Sequence, residues 1–229
     1  RRLAATAAAA AAEHVAKARQ AYADGARHCP RSVPLWLCRV RLEQRVQRFA
    51  RARSLLEKAR HENTKHAELW REAVRVELAA GNAKVAEQLL SKALQECPTS
   101  GVLWAEAIRI APRAARKAKS VDALTRCASD ARVVLAVALL FWAERRHDKA
   151  RSWLQRAARL DRTFGDAWAH LYRFELRFGD ARSQAAVRQA VRSAEPRYGD
   201  AWVAVAKSVA FQRALAREQQ QQQQLRQQQ

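Results

Sequence analysis

The sequence predicts an all-α chain folded as a right-handed α-solenoid of about six helix-turn-helix repeats, and three observations predict it. The first is spacing: Trp36, Trp70 and Trp104 stand 34 residues apart, as do Trp168 and Trp202, and the 64 residues between Trp104 and Trp168 hold one full unit and a shorter one with Val134 in the Trp place. The second is composition. Only 6 Gly and 5 Pro occur in 229 residues, which leaves few punctuating residues for an all-β fold, while Ala, Arg, Leu and Gln, all good helix formers, dominate. The third is a small-then-large pattern on one helical face. Sixteen residues after each Trp position stand Ala52, Ala86, Ser120 and Ala150, followed four residues on by Leu56, Leu90, Leu124 and Leu154, and three further by Ala59, Ala93, Cys127 and Ala157.

Taken in order, the elements follow from that frame. Arg1, Arg2, Leu3 and the alanine tract after them read as helix, and Ala18 and Tyr22 fit the second helix of a unit that starts upstream. Paired helices are predicted over 35–49 and 50–61, 67–79 and 84–96, and 167–178 and 182–194. Pro30, Pro98 and Pro196 lie six residues before a Trp, where one helix must stop. Gly81 and Gly179 sit between paired helices as C-cap breakers. Pro112 is predicted to end a helix, leaving 111–119 as a connection. After Trp168 the register drifts by a residue, and Ala185, Ala186 and Ala190 take the small positions. Residues 1–211 form the repeat region, and 212–229 are a Gln-rich tail, helical or disordered. One helix pair cannot bury its own apolar face, so units must stack, and six layers of roughly 8–10 Å give an arched body on the order of 50–60 Å long.

Composition also excludes. The longest apolar run, 133–143, is far short of the roughly 18 residues a membrane span needs. The absence of Met implies an excerpt of a longer chain. Cys29, Cys38, Cys97 and Cys127 match neither a metal clip nor a dense disulfide framework and are expected as reduced, buried thiols. No glycine-rich phosphate loop or nucleophile elbow occurs, His61 and His66 are off one helical face, and His28 beside Cys29 lacks further ligands. No enzyme, cofactor, metal or small-molecule substrate is predicted. With 43 Lys plus Arg against 22 Asp plus Glu, the net charge is +21. Nucleic acid, an acidic protein surface and compositional bias all remain open as its cause.

The first helices carry a sharper signature: WLCRVRLE from Trp36, WREAVRVE from Trp70, WAEAIRIA from Trp104 and WAHLYRFE from Trp168. Arg stands at the sixth place, and Glu43, Glu77 and Glu175 at the eighth fall within about 20° of their Trp on the inward face. A carboxylate there is costly without a donor, so these Glu are expected to accept structural hydrogen bonds or ion pairs. The tetratricopeptide repeat wants Gly four after its Trp, where this chain has Val40, Val74, Ile108 and Tyr172. The pattern is similar to the HAT (half-a-TPR) repeat. Beyond the repeat, the strings ALQECP and KSVDAL, and GDAW after both Phe164 and Tyr198, resemble the pre-mRNA-processing factor 6 family over about 18–211. Ala111 in place of Glu, the alanine tract and the Gln-rich end depart from it. The resemblance implies a nuclear, non-catalytic scaffold bridging the U5 snRNP and the U4/U6 snRNP. Its implied partners are spliceosomal proteins of those particles and small nuclear RNA.

Three sets of residues are candidates for contact. Trp36, Trp70, Trp104, Trp168 and Trp202 are expected as core knobs between units, with base stacking the alternative; Trp142 and Trp153, off register, share that expectation. Arg41, Arg75, Arg109 and Arg173 would form a ladder along successive first helices, facing an acidic peptide or phosphates, or else paired with nearby Glu such as Glu72 and Glu106. Arg113, Arg116, Lys117 and Lys119 fill a stretch without acids and are the best local candidate for RNA phosphate or an acidic partner. A second basic cluster, Arg39, Arg41, Arg45, Arg48, Arg51 and Arg53, spreads around a helix.

Overall fold

The computed structural model describes residues 2–227, with side chains described over 12–217 and at Gln220. Arg1, at the head of the alanine tract, and Gln228 and Gln229, at the end of the Gln-rich tail, lie outside the described residues. The described residues form thirteen α-helices: α1 Arg2–His28, α2 Val33–Arg45, α3 Phe49–Glu62, α4 Ala67–Ala79, α5 Ala83–Glu96, α6 Gly101–Ile110, α7 Arg116–Arg126, α8 Ala131–Ala143, α9 His147–Leu160, α10 Gly165–Phe178, α11 Ala181–Ala194, α12 Asp200–Ala206 and α13 Val209–Gln227. The architecture is an all-α helical-repeat solenoid, in which each first helix carries the Trp position and each second helix the small-then-large face. The chain divides into two compact units, Arg1–Ile110 and Ala111–Gln229.

The small positions set how closely the helices approach. Ala52, Ala59, Ala86, Ala93, Ala150 and Ala157 are fully buried, and Leu56, Leu90 and Leu154 pack beside them. In the first unit Ala52, Leu56 and Ala59 join Trp36, Val40, Leu69 and Val76 in one core; in the second, Leu154 and Ala157 join Val134, Trp168, Phe174 and Phe211.

Three of the turns between paired helices share one construction. Eleven residues after the Trp position the backbone enters the left-handed region, at Gln47 (φ 57°), Gly81 (φ 82°) and Arg145 (φ 59°). At each, the next N–H reaches back five residues, Arg48 to Glu43, Asn82 to Glu77 and Arg146 to Phe141, while the left-handed residue itself bonds three residues back. This is a Schellman closure, which satisfies the last carbonyls of the first helix. It ends α2 at Arg45 and starts α3 at Phe49, earlier than the predicted 35–49 helix, because Gln47 does what a glycine usually does and gives no glycine signal. Gly179 differs from Gly81: its φ is −101°, and what demands glycine is space, since a Cβ there would collide with Glu175 and Ser183.

Two further expectations are corrected. The connection predicted over 111–119 is shorter, because α7 begins at Arg116 and takes Arg116, Lys117 and Lys119 into its first turn, leaving Arg113 on the turn after Pro112. The thiols are free, yet Cys29 and Cys38 are exposed; Cys127 alone is fully buried, and Cys97, half-buried, donates to the Lys65 carbonyl at 3.1 Å. Burial pushes the Cys97 and Cys127 thiols up from their ordinary range. Near the end of the chain, α13 crosses the 211/212 boundary; Phe211 is 2% exposed, and Arg192 on α11 donates to the Leu215 carbonyl.

Candidate interaction surface

Two kinds of contact fix first helices to the helix before them, one at each end, and both act together on α2 and α10. At the N-terminal end the indole does it: Trp36 Nε1 donates to the Pro30 carbonyl at 2.7 Å, Trp104 to Pro98 at 2.8 Å, Trp168 to Arg162 at 2.9 Å and Trp202 to Pro196 at 3.1 Å. The acceptor is always six residues earlier, where the preceding second helix has ended and carbonyls lack helical partners. Trp70 is covered instead by the Arg60 guanidinium, 4.3 Å from its ring centroid. The rings are thereby spent on packing, with Trp36, Trp70, Trp104 and Trp168 at most 9% exposed, and Trp202 half-buried.

At the C-terminal end an arginine does it. Arg19 on α1 donates through Nε and a terminal nitrogen to both oxygens of Glu43 on α2, at 2.8 Å each. Arg53 on α3 grips Glu77 on α4 at 2.6 and 2.9 Å, and Arg151 on α9 grips Glu175 on α10 at 2.8 and 3.2 Å. Every pair is separated by 24 residues, which joins the second helix of one repeat to the first helix of the next. The carboxylates are 1%, 5% and 2% exposed, so the forked donors offset a desolvation penalty of several kcal/mol per ion. The Arg19 and Arg53 hydrogen bonds hold the Glu43 and Glu77 carboxyls below their ordinary range, against the opposing effect of burial. Sequence periodicity finds the Glu positions but misses Arg19, Arg53 and Arg151; the signal was present as Arg seventeen residues after a Trp position. Where that place holds Glu87 the next unit has Ala111, so both partners are missing together.

The predicted ladder is laced across helices. Arg41 on α2 lies 3.7 Å from Glu72 on α4, and Arg75 on α4 lies 3.9 Å from Glu106 on α6. Arg109 pairs with Glu106 through two nitrogens on its own helix. The Arg side chains remain a third or more exposed, whereas Glu72 and Glu106 are buried. One Glu72 oxygen has no hydrogen-bond partner among the described residues. Arg173, in the second unit, is exposed, and no ion pair involves it among the described residues.

The Pro112 stretch is only partly free. Arg116 donates Nε to the Ala111 carbonyl at 2.8 Å, and Lys117 lies 3.6 Å from Glu144. Arg113 and Lys119 are exposed. With no acid in the first turn of α7, these cations oppose the helix dipole, an arrangement that an anion or acidic partner would relieve. In the second basic cluster, Arg53 belongs to the Glu77 clamp, Arg51 lies 3.5 Å from Glu43, and Arg39 rests over Trp36. Among the described residues no group of three or more His, Cys, Asp or Glu is placed to hold a metal ion, and no helix is long and apolar enough to cross a membrane.

Comparison with known proteins completes the site. A tetratricopeptide-repeat family profile matches residues 45–105. Pre-mRNA-splicing factor prp1 of Schizosaccharomyces pombe is 39% identical over 197 residues, 86% of this chain and 22% of its own length. Human pre-mRNA-processing factor 6 is 50% identical over 98 residues, covering 43% of this chain and 10% of itself. The chain is a TPR/HAT repeat region like that of pre-mRNA-processing factor 6. Protein STABILIZED1 of Arabidopsis thaliana, 45% identical over 99 residues, matches 43% of the chain and 10% of itself, so the chain corresponds to a minor part of these relatives' length. Among solved structures, the Cut9 and Hcn1 assembly of the APC/C superposes with a TM-score of 0.55 at 11% identity, over 88% of this chain and 39% of that one. A human IFIT1 dimer gives 0.54 at 13% identity, over 80% and 47%. At those identities the likeness concerns the helical-repeat fold alone.

Proposed function

We propose that the chain is a non-catalytic scaffold segment acting in pre-mRNA splicing in the nucleus, where it helps hold the U5 snRNP to the U4/U6 snRNP by binding spliceosomal proteins of both particles. The observation that carries the reading is the 39% identity with the S. pombe splicing factor prp1 across 86% of the chain. The geometry is in keeping with it: paired clamps on the first helices make a stiff support with broad exposed faces, suited to positioning partners rather than to enclosing a substrate. Affinity purification of the folded chain from nuclear extract tests it. Co-recovery of U5 and U4/U6 proteins is expected; recovery of neither contradicts the proposal.

A second reading, direct RNA contact, is favoured by the run of Arg113, Arg116, Lys117 and Lys119 around the start of α7, with the exposed part of the Arg41, Arg75, Arg109 and Arg173 ladder as a further surface. It predicts RNA affinity that falls steeply between about 50 and 200 mM salt and drops further in Arg116→Glu plus Lys117→Glu. Weak binding of naked RNA, with those changes instead weakening a protein pull-down, contradicts it.

A further inference from the structure

Seventeen residues after the Trp position stand the clamp arginines Arg53 and Arg151, and seven after it the carboxylates they grip in the next repeat, Glu77 and Glu175. Ahead of and within the repeat that has Val134 in the Trp place, both of these places are apolar: Val121 on α7 and Phe141 on α8. Val121 is 62% exposed and Phe141 is half-buried. Phe141 packs on Trp153 of α9, with ring centroids 5.9 Å apart. The place of Trp153, nineteen residues after the Trp position, holds Leu55, Leu89 and Val187 in other units. An indole is larger than any of these, and Trp153 lies against the core of the second unit yet stays only half-buried. Trp36, Trp104, Trp168 and Trp202 each give the indole N–H to a carbonyl, whereas that of Trp153 donates no hydrogen bond among the described residues.

Cations rest on this ring pair. Lys149 Nζ lies 6.0 Å from the Phe141 centroid, and the Arg156 guanidinium 5.0 Å from that of Trp153. Lys149, Trp153 and Arg156 follow one another at helical spacing on one face of α9, and Arg156 also donates to the Ala128 carbonyl just past α7, at 3.4 Å. Both cations are exposed, and no ion pair holds either of them among the described residues. The acids nearby are engaged or stand elsewhere. Glu144, one turn after Phe141 on α8, is shared by Lys117 at 3.6 Å and Arg146 at 3.7 Å. Asp148 acts on Arg151, which leaves α9 from the opposite face. Asp122 is exposed on α7, one turn from Lys119 and Arg126. The Lys117 contact also brings the cationic start of α7 to the stretch of α8 that carries Phe141. A cation resting on an exposed ring is held more weakly than a stacked base, so an entering base displaces it, and the freed cation meets the adjoining phosphate.

We propose that Phe141 and Trp153 are a stacking platform for unpaired bases of single-stranded RNA, with Lys149 and Arg156 on the adjoining phosphates. The proposal rests on the reading of direct RNA contact, which it extends from phosphate to base, and is independent of the scaffold reading. The test titrates the full chain into a fluorescein-labelled single-stranded RNA of about ten nucleotides, read by anisotropy, beside an abasic strand with the same number of phosphates. Trp153→Leu takes the residue that this place holds in other repeats, and Trp153→Phe keeps a ring. Saturable binding of the RNA is expected, about tenfold tighter than of the abasic strand. Trp153→Leu is expected to remove that advantage and leave abasic binding unchanged, while Trp153→Phe stays within about threefold of the original chain. Lys149→Glu plus Arg156→Glu is expected to weaken both strands. Binding that responds to Arg116→Glu plus Lys117→Glu but not to Trp153→Leu overturns the platform and leaves the RNA reading standing; no binding of either strand overturns both. A Glu-rich peptide bound as tightly as the RNA also overturns it. If circular dichroism shows Trp153→Leu to be misfolded, the comparison of RNA with the abasic strand on the original chain decides, equal affinities being the contrary result.

Discussion

Arg53 and Glu77 show what a single repeat position contributes. The carboxylate is buried and accepts from Arg53 and from Asn82 at 2.9 Å, so removing the guanidinium leaves a buried charge with one remaining side-chain donor. Arg53→Met is expected to cost the fold about 2 kcal/mol, below the usual 3–5 for a fully buried pair because Arg53 itself is 38% exposed. Arg53→Lys recovers less than half, since an ammonium cannot present the fork; urea denaturation measures both. The pH dependence follows from the same bonds. The Glu43 and Glu77 carboxyls are held down in the folded state, so the unfolded chain binds more protons below its own carboxylate range near 4.3. Their contribution is complete above about pH 5 and fades as pH falls through the depressed folded values. Thermal melts between pH 3 and 7 are expected to show that loss, and Glu77→Gln to flatten it at the expense of stability at neutral pH. Gln47 and Arg145 run the other way. Both hold left-handed backbone that glycine adopts without strain, so Gln47→Gly and Arg145→Gly are expected to raise stability by about 0.5–1 kcal/mol despite the greater freedom of the unfolded chain.

At the scale of the element, the indole bonds decide how a first helix leaves the helix before it. Trp36→Phe keeps most of the ring but removes the 2.7 Å donor of the Pro30 carbonyl, leaving it the longer bond from the Asn63 amide at 3.4 Å, and is expected to cost about 1 kcal/mol in the melt. Trp70→Phe is expected to cost less in hydrogen bonding and more in the Arg60 contact, so its loss should depend on Arg60 in a double-mutant cycle. The helices themselves were legible in sequence because the period and the small residues agree from unit to unit and proline stops mark three of the boundaries, at Pro30, Pro98 and Pro196. Their partners were not. Arg19, Arg53 and Arg151 act on a helix 24 residues away in the next repeat, and the position is filled in only some units, so it forms no continuous pattern. The α2 to α3 turn was misplaced for a related reason: Gln47 carries the conformation without the residue type that advertises it.

For the whole molecule, the net charge of +21 proves to be divided between structural and exposed roles. Arg19, Arg53 and Arg151 are structural, and Arg60 is spent over Trp70. Arg113, Lys119, Arg159 and Arg173 are among the outward-facing cations that give the surface its character toward acidic or phosphate-bearing partners. Under the proposed function, the chain would keep partner surfaces at fixed separations, so that its stability and its function would be linked through the same repeat contacts. The most direct measurement of the proposed bridging role is cross-linking mass spectrometry of a tri-snRNP assembled with this protein, using its lysines, Lys117, Lys119 and Lys149 among them, as reporters. The account predicts cross-links from this region to proteins of both the U5 and the U4/U6 particles; cross-links to neither, in a particle that contains the protein, would contradict it.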